Sequence, residues 1–518
     1  MKQIYFVKTR IKRIFDSIIT KQIRFYQFLR FSESVFIRVQ FLINKMRKQY
    51  INGEWCDAID GATWDLQSPS TEEILDKVPF GNADDCKKAI AAADASFKEW
   101  KNTTPYFRAE ILKKVANYIR VNAESFAKET SLETGKPMLE SRGEWQVSAN
   151  LFEWYAEEGK RSYGRVIPSS RIDKRSMVIY QPLGVVGVIT AWNFPAYNPA
   201  RAVAAALAAG CSVVMRGSEF TPLSSFNMAK ALDEAGIPKG VFNLINTEPV
   251  STGTEMIENP LLKKISFTGS TRVGKILMDG ASKTSTKLSL ELGGNAPVII
   301  EKDVDVEAIA HQAIVAKLRN CGQVCVSPQR FYVHSSIFNQ FVSIVKEDIS
   351  KLKTGINGGE IDFVGPLINK TQQKHSLAML EKAKSEGATI HIGGEASEKG
   401  FFVHPALIEA RQNQAFIKTE MFGPLMIVIP FETKEQVLEW ANDTEYGLAS
   451  YVFTNHIKIA NFYAENLEFG MVGINEWAAH GTELPFVGIK SSGIGHESGS
   501  EGLKEYLELK LISYGNMS

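Results

Sequence analysis

The chain has 518 residues, 44% of them hydrophobic and 23% charged, with a formal net charge of +1. That length needs more than one hydrophobic core, and the charge balance argues against a nucleic-acid or strongly acidic partner. The 5 cysteines (Cys56, Cys86, Cys211, Cys321 and Cys325) and 8 histidines are scattered, without a Cys-x-x-Cys or His-x-x-x-His pair. This does not suggest a disulfide framework, predicts no metal site and suits a reducing, cytoplasmic setting.

Residues 1–45 form a basic N-terminal extension. They carry ten basic residues against Asp16 and Glu33, leaving 49 basic and 56 acidic residues in the body, a net of −7. Ile11, Ile14, Phe15 and Ile18 recur at helical spacing. No uncharged apolar run approaches the ~18 residues of a membrane span, so no stable membrane insertion is expected. Three readings stand: an organellar presequence, a helix resting on anionic lipid, or an extension before a functional start at Met46, the last being the one taken.

The body opens with a hairpin at Tyr50-Ile51-Asn52-Gly53-Glu54-Trp55. Helices are predicted from Ala83 to Trp100 and from Pro105 through Ile111, Val115 and Ile119. Gly135-Lys136-Pro137 punctuates the next helix. From about Tyr180 strand and helix alternate: a buried strand over Gly184–Thr190, a close-packed helix over Ala202–Ala209, a strand over Ser212–Met215. Such alternation predicts βαβ units, a parallel sheet and an α/β fold.

The usual Gly-x-Gly-x-x-Gly fingerprint is absent; Gly493-Ile494-Gly495-His496-Glu497-Ser498 lacks the third glycine. Instead, the apolar strand ending at Phe267-Thr268 meets Gly269-Ser270, and a helix start holds Gly274. Helix N-termini with free amides suit a pyrophosphate. Ala191-Trp192-Asn193-Phe194-Pro195 puts an amide side chain past a strand end, Glu291-Leu292-Gly293-Gly294 puts a carboxylate there, and Gly322-Gln323-Val324-Cys325 puts a thiol in a turn after an apolar helix. Singly, each segment reads as a turn, a loop acid or a small buried hydrophobe.

Together, and with Glu420-Met421-Phe422-Gly423-Pro424, these segments resemble the aldehyde dehydrogenase superfamily in order and spacing over roughly residues 50–515. The resemblance implies that Cys325 attacks an aldehyde as a thiolate, that Asn193 and the Cys325 amide hold the oxyanion, and that Glu291 activates water to release a thioester. Glu497 matches a second acid used by some members. Trp192, Gly269, Ser270, Gly274, Glu420 and Phe422 correspond to the cofactor crevice. Arg216-Gly217 stands where the family has Lys-Pro, and Arg is not a neutral replacement. Glu219 would repel a 2′-phosphate, so NAD is expected, with NADP the alternative.

Arg201 and Arg319 match arginines that clamp the far carboxylate in succinate-semialdehyde dehydrogenases, for which a guanidinium fork is suited. The chain departs from that subfamily near His480-Gly481, where a hydroxyl is replaced, and at Pro485-Phe486-Val487-Gly488, where Pro-Phe-Gly-Gly is usual. Ser327 replaces a second cysteine that some members use as a redox switch. Succinate semialdehyde is the expected substrate; a neutral or aromatic aldehyde, or a non-catalytic role, is the alternative. Glu291 disfavours acyl transfer to coenzyme A.

The implied architecture is a Rossmann-type cofactor domain of residues 46–158 and 182–293, and an α/β catalytic domain of residues 294–492. A small β oligomerisation extension, residues 159–181 and 493–518, would build a homodimer or homotetramer.

Overall fold

The computed structural model describes residues 47–516, apart from 358, 359 and 362. The reading of residues 1–45 as an extension lies outside the described residues.

The opening hairpin pairs Gln49–Ile51 with Glu54–Cys56, and its turn residues Asn52 and Gly53 have φ of 54° and 75°. Both are left-handed, as a tight two-residue turn demands. The helix Ala83–Trp100 begins in a capping box: Asn82 caps the first turn and Asp85 reaches back to the Asn82 N–H. The next helix continues past Ile119 to Thr134, where Gly135 at φ 75° stops it.

Five parallel strands make the centre of the first sheet. Their spatial order is Phe242–Ile245, Ser212–Arg216, Val185–Ile189, Leu262–Thr268, Lys287–Glu291. The opening hairpin closes one edge and Gly493–Ile494 pairs antiparallel on the other. Strands covered on both faces read as continuous apolar runs, which is why Val185–Ile189 and Ser212–Arg216 show no alternation. The alanine-rich helix Tyr197–Ala209 is buried from Asn198 onward, its small side chains letting it pack close to its neighbours.

The chain order reverses between Val185–Ile189 and Leu262–Thr268. In open α/β sheets the crevice outside the strand carboxyl ends at such a reversal is where ligands bind.

A second sheet runs Thr389–Ile392, Ala406–Glu409, Leu425–Phe431, Pro328–His334, Ala296–Ile300, Ala449–Phe453, Met471–Ile474, parallel except at the Thr389–Ile392 edge. Its core, built on Val298, Ile300, Phe331 and Val428, is separate from that of the first sheet around Val186, Val188, Ala204 and Phe242. A third, three-stranded sheet pairs Leu507–Tyr514 with Arg175–Pro182, and the latter with Arg165–Ile167. Among the described residues no helix is long and apolar enough to cross a membrane.

Candidate active site

Strand ends deliver most of the expected residues to one place. Trp192 and Asn193 follow Val185–Ile189, Gly269 and Ser270 follow Leu262–Thr268, and Glu291 ends its own strand. A cleft of about 290 Å³ opens there, at the reversal of strand order. From the second sheet come Glu420 and Phe422, also on its wall, with the Phe422 and Trp192 rings edge-on at 5.5 Å.

Cys325 arrives from the second sheet's side. The helix Val306–Leu318 is followed by three left-handed residues, Asn320, Cys321 and Gly322, at φ 48°, 56° and 73°. A Cβ on Gly322 would stand 2.2 Å from the Gly423 carbonyl oxygen, so only glycine fits. Gln323 then pins the turn. Its amide donates to the Pro366 and Asn320 carbonyls at 3.3 and 3.1 Å and accepts the Ile368 N–H at 3.0 Å. These contacts give a physical reason for glycine and glutamine ahead of the cysteine.

Burial pushes the half-buried Cys325 thiol well up, and the Glu291 carboxylate adds to the effect. Glu291 is itself pushed up to about 7, first by burial, then by Glu497 and Glu420, against the lowering pull of Arg201 and Cys325. Its Oε1 is buried without a hydrogen-bond partner among the described residues. A carboxyl group near 7 can both take and return a proton at neutral pH.

Asn193 is oriented by its neighbours. Its Oδ1 accepts the Phe194 N–H at 3.1 Å and the Asn198 amide at 3.0 Å, which leaves Nδ2 as the donor end. One Nδ2 hydrogen goes to the Gln323 carbonyl at 3.2 Å, tying the amide to the cysteine turn.

Arg201 and Arg319 take different positions. Arg319 lines a second cleft of about 270 Å³, with His480, Tyr197, Phe194 and the carboxyl side chains Glu140 and Glu144. Arg201 is only 1% exposed, lies 3.0 Å from Glu497 Oε2 and 4.0 Å from Glu291 Oε2, and packs on the Tyr197 and Phe486 rings. Its Nη1 is buried without a hydrogen-bond partner among the described residues. Both guanidiniums act on His480, whose imidazolium is pushed down to about 3, by burial first and by the two cations next. Glu497 also accepts from Ser266 Oγ at 3.3 Å.

Three expected cofactor residues stand off the first cleft's wall. Gly274 lies against Leu292, where a Cβ would come within 2.6 Å of that side chain; it sets the spacing of helix on strand. Arg216 donates to the Thr247 carbonyl at 3.2 and 3.0 Å and to Glu219 at 2.7 Å, at the end of the strand beside Val185–Ile189.

Several residues at the site carried no readable signal. Gln372 and His375 reach the first cleft from the helix Lys370–Ser385, far away in sequence. Lys136 read only as part of a helix break, yet it is buried and donates to Glu144 and to the Asn193 carbonyl. Lys317, buried behind the cysteine turn, is pushed down to about 7 and Glu420 up to about 7, because burial drives each toward its neutral form. No group of three or more potential metal-binding side chains gathers among the described residues.

The first cleft suits a nicotinamide dinucleotide. It stands at the sheet's reversal point, Ser270 caps the helix Thr271–Thr284 beside it, and Gly293 lies so near Glu420 that a Cβ would stand 2.7 Å from its carboxylate. A parallel sheet in this order, with such a cleft, defines the doubly wound α/β class, whose ligands bind at that point. The aldehyde dehydrogenase family model matches residues 55–512. The NADP(+) succinate-semialdehyde dehydrogenase of Escherichia coli is 39% identical over 91% of this chain and 98% of its own. The glutarate-semialdehyde dehydrogenase of Pseudomonas aeruginosa is 39% identical over the same shares. A solved betaine aldehyde dehydrogenase of Staphylococcus aureus in complex with NAD+ superposes with a TM-score of 0.90 at 34% identity, over 92% of this chain and 97% of that one. The chain belongs to the aldehyde dehydrogenase family. It is an NAD(P)-dependent enzyme that oxidises an aldehyde to a carboxylic acid.

Proposed function

We propose that the substrate is a semialdehyde carrying a distant carboxylate, succinate semialdehyde first, and that Cys325 is the nucleophile. The observation that carries this reading is the second cleft, where Arg319 and a neutral His480 face the same space as Tyr197. A guanidinium fork there suits a carboxylate. The names of the Escherichia coli and Pseudomonas relatives support the same substrate class.

In this reading Glu291 takes the Cys325 proton, and the thiolate adds to the aldehyde carbon. Asn193 Nδ2 donates to the oxyanion that forms. Trp192, Gly269, Ser270, Glu420 and Phe422 would hold a nicotinamide dinucleotide, which would supply the acceptor for the hydride lost from the sulfur-bound carbon as its C=O bond re-forms. Glu291 releases the Cys325 proton to solvent, then takes one from water as the water attacks the thioester, and passes it to the Cys325 sulfur as the acid leaves. Glu497 holds Arg201 in place and shares its charge with the site.

NAD is the preferred form. The Arg216 guanidinium is already engaged by Glu219 and the Thr247 carbonyl, so it does not stand free for a 2′-phosphate. Self-association through Leu507–Tyr514, whose Leu509 and Leu511 stand 62% and 65% exposed on one face, completes the reading, as a homodimer or homotetramer. Five free cysteines suit a reducing, cytoplasmic location.

The test is NADH formation with succinate semialdehyde, propanal and benzaldehyde. A kcat/KM at least ~10-fold higher for the semialdehyde is expected, from the ~1.5–3 kcal/mol of a charged hydrogen bond. Equal values would overturn the substrate reading, and full activity in Cys325→Ala would overturn the nucleophile.

A further inference from the structure

We propose that Lys136, Glu140 and Glu144 are positioning residues. They form one clamp that holds the oxyanion donor Asn193 and the Cys325 turn in a fixed relation. The proposal rests on the roles given above to Asn193 and Cys325.

Lys136 sits in the break between the helices Pro105–Thr134 and Met138–Glu158, with its ammonium fully buried. It donates to Glu144 Oε2 at 2.6 Å and to the Asn193 carbonyl at 2.7 Å, and it lies 4.2 Å over the Phe194 ring. The other Glu144 oxygen accepts the N–H groups of Ala196 and Tyr197 at 2.8 and 3.2 Å. Those amides begin the helix Tyr197–Ala209, which carries Arg201. One ion pair therefore grips the segment from Asn193 to Tyr197 by its carbonyl and by two of its amides.

The same carbonyl reaches the cysteine turn. Asn320 Nδ2 donates to it at 2.9 Å, while the Asn320 N–H goes to Glu140 Oε2 at 2.8 Å. Glu140 and Glu144 are four residues apart on one helix and so share a face. Asn320 and Cys321 hold left-handed backbones without being glycine. Such conformations persist only where surrounding contacts over-determine them, and Glu140 supplies one of those contacts.

A buried ion pair of this kind adds little net stability, because desolvation offsets its attraction. Its consequence here is geometric. Both ends of the reacting bond depend on it: the donor that meets the oxyanion and the turn that presents the thiol. A displacement of about 1 Å between such groups costs on the order of 100-fold in rate.

The experiment compares the parent enzyme with Lys136→Met/Glu144→Gln, which removes both charges together and leaves neither unpaired. Two rates are read at saturating NAD. One is the pre-steady-state NADH burst with succinate semialdehyde and with propanal; the other is alkylation of Cys325 by iodoacetamide, which needs the thiol but no oxyanion donor. The expected result is a burst about 100-fold slower with both aldehydes, alkylation within ~3-fold of the parent, and KM for NAD within ~3-fold. A burst within ~3-fold of the parent in folded protein overturns the clamp, as does a fall of burst and alkylation in the same proportion. If the double variant does not fold, Glu140→Ala takes its place, with a burst about 10-fold slower expected and the same overturning results. Asn193→Ala is run in parallel. A slow burst there beside a normal one in the clamp variant rejects the clamp alone; a normal burst in Asn193→Ala rejects the oxyanion role and the clamp with it.

Discussion

Arg201 Nε lies 3.0 Å from Glu497 Oε2 in a place where neither residue is more than 6% exposed. The guanidinium thereby balances a carboxylate next to the site while standing 4.0 Å from a second one, Glu291. Without it the buried acids would stand uncompensated. Replacing Arg201 by Met is expected to cost about 3–5 kcal/mol of stability, and Arg201→Met/Glu497→Gln to recover most of it. Chemical denaturation of the three proteins checks this; equal stability of the parent and the single variant would refute it.

The base role proposed for Glu291 carries a pH dependence of turnover. Its carboxyl group is held up to about 7, so the basic form predominates only above that value. Turnover limited by release of the acid should therefore rise with pH through about 7 and level off above it. Arg201 lowers the value, so its removal should move the rise to higher pH. Glu291→Gln should lose the rise altogether and slow both steps that use its carboxylate, formation of the Cys325 thiolate and hydrolysis of the thioester. A profile unchanged in Glu291→Gln would assign the rise to another group.

Arg319 faces the second cleft and rests 5.3 Å from the Phe194 ring. Arg319→Ala should raise KM for succinate semialdehyde about 10–100-fold, the loss of a charged hydrogen bond, and leave KM for propanal within ~2-fold. An equal rise for both aldehydes, measured in the same assay, would show that the side chain holds the cleft's shape and not a carboxylate.

Glu219 is joined to Arg216 at 2.7 Å, and the pair is partly open to solvent. Glu219→Gln should remove a repulsive charge and release the guanidinium toward a 2′-phosphate. An increase of about 10-fold in kcat/KM for NADP, with NAD changed by less than ~3-fold, is expected. Unchanged NADP kinetics would place cofactor choice elsewhere.

Much of the site was legible in short stretches of sequence, because each functional group sits at a strand end or turn that local residues specify. Asn193 follows the strand Val185–Ile189, Glu291 ends its own strand, and Cys325 follows a turn that only glycine at 322 permits. Local chemistry writes such signals: apolar runs for buried strands, glycine for left-handed backbone, a hydroxyl at a helix cap. The length of the helix ending at Thr134 was less legible, since its later turns carry weaker apolar spacing and tertiary contacts extend it.

What the sequence by itself determined was the α/β class and the family resemblance, and it named the candidate reactive groups. Only the tertiary structure decided how those groups meet. It paired Arg201 with Glu497 across 296 positions of chain, set Arg319 beside His480, and brought Lys136 under the Asn193 carbonyl. The physical reason is that burial and charge pairing act between residues joined by the fold and distant in the chain. The same acid can read as a loop carboxylate in sequence and titrate near 7 once water has been removed from around it.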